Sequence, residues 1–215
     1  MTDNSEFSKK VSLKTNFLFE NLEEKGRLQY FFHSPSSRLP IRDVLNEQKR
    51  GHKTEPHIEI GAENYITRCY QSNNIIPFLK SKEKYLFLFT TCKVKDHKYY
   101  NKKCIVGFIS KKKSLKILEN QSNKSHYAVL GDTHLFFFND SLPINLLGYK
   151  EGIRVKKVDE KETRTILNHF KDKSNIIHDC IKEIKRLDKK NITCKKDSEN
   201  FECKFKNQCL RWKIP

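Results

Sequence analysis

From Tyr85 to Val94 the chain reads Tyr-Leu-Phe-Leu-Phe-Thr-Thr-Cys-Lys-Val, an apolar and β-branched run that predicts a buried strand. Residues 104–110, Cys-Ile-Val-Gly-Phe-Ile-Ser, predict a second strand after an intervening polar stretch. Residues 127–130 and 134–138 predict two more, with Gly131-Asp132 between them as a tight-turn signal. Upstream, Phe17, Leu18, Phe19 and Leu22 open an apolar stretch, residues 28–32 read as a strand, and residues 34–37, Ser-Pro-Ser-Ser, read as a turn. Residues 41–49 suit a short helix with Ile41, Val44 and Leu45 on one face. Residues 152–158 alternate apolar and basic side chains, as a strand with one face in water would.

Beyond Asp159 the spacing becomes helical. Asp159 suits an N-cap for a segment carrying Thr165, Ile166, Leu167 and Phe170. A second helix is expected from Ser174, with Ile176, Ile177, Cys180, Ile181, Ile184 and Leu187 forming one apolar stripe. From Lys189 onward the chain is polar and without periodicity. The expected organisation is therefore α+β. A flexible start (1–15) precedes a strand-rich mixed sheet or small barrel (16–158), a helical segment (159–188) and a cysteine-containing extension (189–215).

Charge changes the picture. Of 215 residues, 43 are Lys or Arg and 26 are Asp or Glu, a formal net charge of +17. Such a field accelerates encounter with polyanions, and phosphate contacts that release counterions convert self-repulsion into affinity. A general compositional bias toward lysine is the competing explanation. No stretch approaches the ~18 uncharged apolar residues of a membrane span. The polar first ten residues lack the apolar core of a signal peptide, which points to an intracellular protein.

Cations and rings coincide at one place. Residues 93–103 hold Lys93, Lys95, Lys98, Lys102 and Lys103 around Tyr99 and Tyr100, between two expected strands. Lysines neutralise phosphates and tyrosine rings offer stacking faces to bases. Lys111, Lys112 and Lys113 follow the next strand and extend the candidate nucleic-acid surface. The competing role for such lysines is to keep a loop in water and a sheet edge unpaired.

Seven cysteines occur in the chain, and Cys194, Cys203 and Cys209 fall within its polar end. Thiolates grouped this way suit zinc, or less readily an iron–sulfur cluster, with Cys180, His169 or His178 as a fourth ligand. There is no Cys-x-x-Cys pair, so free thiols or a disulfide remain the alternative. The Cys203/Cys209 spacing is similar to the last two ligands of iron–sulfur tails in CRISPR-associated and recombination exonucleases, whose tighter preceding pair is absent here.

A catalytic constellation does not emerge. Glu-x-Lys pairs, used by metal-dependent nucleases, occur at Glu23/Lys25, Glu47/Lys49, Glu183/Lys185 and Glu202/Lys204, at a frequency this composition produces by chance. There is no P-loop and no Gly-x-Gly-x-x-Gly.

The phrases Tyr30-Phe-Phe-His-Ser-Pro35, Tyr85-Leu-Phe-Leu-Phe89, Ile105-Val-Gly-Phe108 and Leu130-Gly-Asp-Thr-His-Leu-Phe136 resemble the PUA-like superfamily, which includes EVE, YTH and ASCH domains. The resemblance spans residues 28–158. It implies a small barrel that binds RNA or accepts a flipped or modified base in an aromatic pocket. Phe32, His33, Asn64, Tyr65, Arg68 and Tyr70 are the candidate pocket residues. The one tryptophan, Trp212, lies outside this region, so tyrosine or phenylalanine would replace the usual tryptophan cage. The expected function is nucleic-acid binding. A metal-dependent nuclease and a protein-interaction module for an acidic partner are the alternatives.

Overall fold

The computed structural model describes residues 15–18, 21–42, 56–58, 64–67, 78, 80–118, 125–150 and 152–191. Among these, nine strands form one mixed sheet: β1 (Thr15–Leu18), β2 (Glu23–Tyr30), β3 (Pro56–Ile58), β4 (Asn64–Thr67), β5 (Glu83–Thr91), β6 (Lys103–Leu118), β7 (Ser125–Leu135), β8 (Leu142–Pro143) and β9 (Val155–Val158). Their order is β3-β4-β7-β6-β5-β2-β9, with β1 and β8 also pairing β6. The β2–β5 pair is parallel and every other pair is antiparallel. Two helices follow, α1 (Glu160–Phe170) and α2 (Ile177–Asn191). The fold is α+β.

β5 shows why the chain folds this way. Residues 85–90 are buried without a break. Tyr85, Phe87 and Phe89 join a core with Leu28, Ile105, Phe136, Ile166 and Phe170, against α1. Leu86 and Leu88 join a second core with Val106, Ile109, Val129, Leu135, Ile177, Cys180, Ile184 and Leu187, against α2. Successive side chains of a strand point to opposite faces, so a continuous apolar run is what a strand covered on both sides requires. Each such side chain contributes about 1.5–3 kcal/mol when fully buried.

Both helices turn their apolar stripes inward as the spacing implies, and α1 begins at its expected cap. Asp159 accepts the Glu162 N–H at 2.8 Å while the Glu162 carboxylate accepts the Asp159 N–H at 3.2 Å, a reciprocal capping box. α2 starts at Ile177, later than Ser174, because Asn175 is used to dock it. The Asn175 side chain accepts from the backbone N–H of Leu135 and Ile177 and donates to Thr133 O.

Two expectations need correction. Gly131-Asp132 is not a turn, since β7 runs unbroken from Ser125 to Leu135, with Gly131 opposite Lys111 and Asp132 opposite Ser110. A Cβ on Gly131 would lie 1.9 Å from Ser110 O, so the glycine serves close strand approach beside the irregularity between Lys111 and Lys113. The sheet is also open rather than a barrel: among the described residues its end strands, β3 and β9, do not pair. Residues 43–49 of the expected short helix lie outside the described residues. No helix among the described residues is long and apolar enough to cross a membrane.

Candidate nucleic-acid interface

The parallel strands β2 and β5 end side by side at Tyr30 and Thr91, and their carboxyl ends feed the segments 31–42 and 92–102. Ligand sites in open sheets are commonly built outside such strand ends. The two segments are clasped. His33 is 3% exposed, and its Nδ1 accepts the Lys93 N–H at 3.0 Å. With Nδ1 an acceptor, the ring carries its proton on Nε2 and donates to Leu39 O at 2.9 Å. Thr90 Oγ1 donates to Phe31 O, and Arg38 pairs with Asp96 at 2.8 Å on the outside.

Within 92–102 the backbone closes on itself. Cys92 N–H donates to Lys102 O at 3.0 Å, and Asn101 N–H donates to Cys92 O at 2.8 Å. Asn101 takes a left-handed φ of 60°, which asparagine tolerates. His97 accepts the Tyr99 N–H on Nδ1 and donates from Nε2 to Asn139 Oδ1 at 2.9 Å, tying the segment to the turn after β7. Lys93, Lys95, Lys98, Lys102 and Tyr100 are exposed. Tyr99 is half-buried against the core, with Lys98 Nζ 4.9 Å from its ring centre. Asp96 is the one acidic residue among residues 93–103, and it already faces Arg38.

Beside this segment lies a second group of rings. Tyr30 and Phe32 meet edge to face at 5.2 Å, and the Tyr30 hydroxyl bonds Thr91 Oγ1. Lys103 Nζ lies 5.3 Å from the Tyr30 ring centre and donates to Ile153 O. Phe32 thus comes to the basic segment, a neighbourhood no local signal announces.

The other expected site residues are scattered. Lys111 is 2% exposed and its ammonium donates to Phe78 O and Ser81 O at 2.9 and 2.7 Å. Burial pushes it down to about 8. Its place is inside the fold, not on a phosphate-binding surface. Lys112 is exposed and paired with Asp132 at 2.7 Å, and Lys113 sits on β6 opposite Leu130 and Leu18. Asn64 and Tyr65 lie on β4 opposite Leu130 and Val129, with β7, β6 and β5 between them and β2. At about 4.8 Å per strand this is roughly 19 Å across the sheet. Phe32 and His33 follow β2 and so stand four strands from Asn64 and Tyr65 along the sheet, and His33 uses both ring nitrogens in backbone contacts. Arg68 and Tyr70 lie outside the described residues, as do Cys194, Cys203 and Cys209.

Cys180 is wholly buried on the inner stripe of α2, where desolvation pushes its thiol up to about 12 and keeps it protonated. A buried thiol among isoleucines and leucines does not fit the expected fourth metal ligand. His169 is engaged through Nε2 with Asp140 O. No cluster of three or more His, Cys, Asp or Glu side chains suited to a metal occurs among the described residues. The Glu23/Lys25 pair is an exposed ion pair at 2.8 Å, and Glu183 is held by Arg186.

A groove of about 640 Å³ lies at the other end of β2 and β5, lined among others by Lys25, Lys82, Lys156, Glu23, Glu83 and Glu162. Its lining balances four lysines, Lys25, Lys82, Lys156 and Lys157, against four carboxylates, Glu23, Glu83, Asp159 and Glu162, which disfavours a polyanion. No protein-family model, curated protein or solved structure matches the chain.

Proposed function

We propose that the protein binds nucleic acid through the surface formed by residues 92–103 and the adjoining Tyr30–Phe32. The observation that carries this reading is the gathering of Lys93, Lys95, Lys98 and Lys102, all exposed, with Tyr100 on one segment whose lone acidic residue faces Arg38. The lysines displace counterions from phosphates, which supplies affinity and salt dependence. The exposed ring offers a stacking face, and the clasped backbone removes ordering cost from association. Binding requires no chemistry. The direct test is a panel of DNA and RNA oligonucleotides titrated across a salt series. Affinity that falls log-linearly with salt supports the reading, and no measurable binding at low salt overturns it.

The resemblance to PUA-like domains adds the idea of a captured base. If a base is captured, Phe32 and Tyr30 are the rings beside the lysines, in place of Tyr65. Zinc held by Cys194, Cys203 and Cys209 is a separate proposal, tested by elemental analysis of protein purified without oxygen. Less than stoichiometric zinc and iron would end it.

A further inference from the structure

The segment 92–102 treats its two adjacent tyrosines differently. Tyr99 is turned in, against His97 and the core around Val94, whereas Tyr100 remains 41% exposed between Lys98 and Lys102. Resting on the nucleic-acid reading above, we infer that the ligand is a single strand, one base of which stacks on Tyr100 while Lys95, Lys98 and Lys102 meet the flanking phosphates.

Base faces are the first argument. In a duplex each face is covered by its neighbour, so an outward ring gains little from it. A single strand offers an open face at every base, and stacking tolerates any sequence. The backbone presenting the ring is the second. Tyr100 N–H donates to His97 O at 2.8 Å, Lys102 N–H to Tyr99 O at 2.9 Å, and Lys93 Nζ to Asn101 Oδ1 at 2.9 Å. A ring held on both sides in this way binds without ordering the segment first. The third is shape. Lys95, Lys98 and Lys102 sit on successive turns, closed between Val94 and His97, His97 and Tyr100, and Tyr99 and Lys102, with neither a helix nor a paired ribbon among residues 92–102 to enter a major groove.

The test uses the full chain, a labelled oligothymidylate and a blunt duplex of the same length, at one salt concentration. The single strand is expected to bind more tightly. Tyr100→Ala is expected to weaken it by about 5- to 150-fold, the range that stacking one base on a ring covers. Tyr100→Phe, which keeps the ring, is expected to bind as the parent does. Unchanged thermal midpoints certify that both variants fold. Equal or tighter duplex binding, an unaffected Tyr100→Ala, or a Tyr100→Phe as weak as the alanine variant would each overturn the single-strand inference. If Lys95, Lys98 and Lys102 to Ala still weakens binding in those cases, nucleic-acid binding itself stands. If neither probe binds, both readings fall.

Discussion

The imidazole of His33 accepts the backbone N–H of Lys93 at 3.0 Å, joining the segment after β2 to the segment after β5 across sixty positions of sequence. The same ring donates to Leu39 O and meets Phe138 edge to face at 4.8 Å. One buried side chain thereby sets the relative position of Phe32 and the exposed lysines.

Replacing His33 with Ala leaves the Lys93 N–H and the Leu39 carbonyl unpaired inside the fold. Each such group costs about 1–3 kcal/mol, so the variant should lose roughly 2–6 kcal/mol of stability. Chemical denaturation measures the loss, and hydrogen exchange at the Lys93 amide should accelerate. An unchanged exchange rate would mean that the clasp is not formed.

Lys111 makes stability rise with pH over a defined window. Burial lowers its folded value to about 8 from the ordinary 10.5. Between those values the unfolded chain holds the proton and the folded chain does not, so the folded state gains as pH increases. The gain amounts to roughly 3 kcal/mol across the window. Denaturation of the protein and of Lys111→Met at pH 8 and above pH 10 isolates it. The difference between the two proteins should grow with pH, and a constant difference would contradict the buried ammonium.

Gly131→Ala forces a methyl group to within 1.9 Å of Ser110 O. Separation of β6 from β7 follows, and the expected loss is about 3 kcal/mol, the upper part of the overpacking range. A melting temperature equal to that of the parent would restore the turn that the sequence suggests at this position.

Cys92, Cys104 and Cys180 are all buried, and burial raises the thiol of each above its ordinary value. In native protein these three should resist a thiol reagent and become reactive on unfolding. Cys180→Ala should lower stability by about 1 kcal/mol or more through the lost packing, and should leave any bound zinc unchanged. A drop in zinc content would return Cys180 to the ligand set.

What the sequence disclosed was local. The unbroken apolar run of β5, the Asp159 cap and the α2 stripe each declare themselves within a few residues, because one strand or helix needs only its own pattern to form. What it concealed depends on pairing between distant segments. β6 extends to Leu118 through three consecutive lysines because ladders on both its edges hold it, although Lys111-Lys112-Lys113 reads as a solvated loop. Lys111 is buried because Phe78 and Ser81 bring two carbonyls to it from thirty residues away. Phe32 joins the lysine segment because β2 lies parallel to β5, a register fixed by pairs such as Arg27 with Leu86, which no short window of sequence contains. The lysine–tyrosine segment was legible in composition, but the inward Tyr99 and the outward Tyr100 were not, since the choice is made by His97 and the turn at Asn101.

The most direct measurement is the salt dependence of binding to an oligothymidylate for the parent and for Lys95, Lys98 and Lys102 changed together to Ala. For a single strand each neutralised phosphate contributes about 0.7 to the slope of log affinity against log salt. The triple variant should therefore bind more weakly and lose about 2 from the magnitude of that slope. An unchanged slope and affinity would contradict the assignment of this surface to nucleic acid.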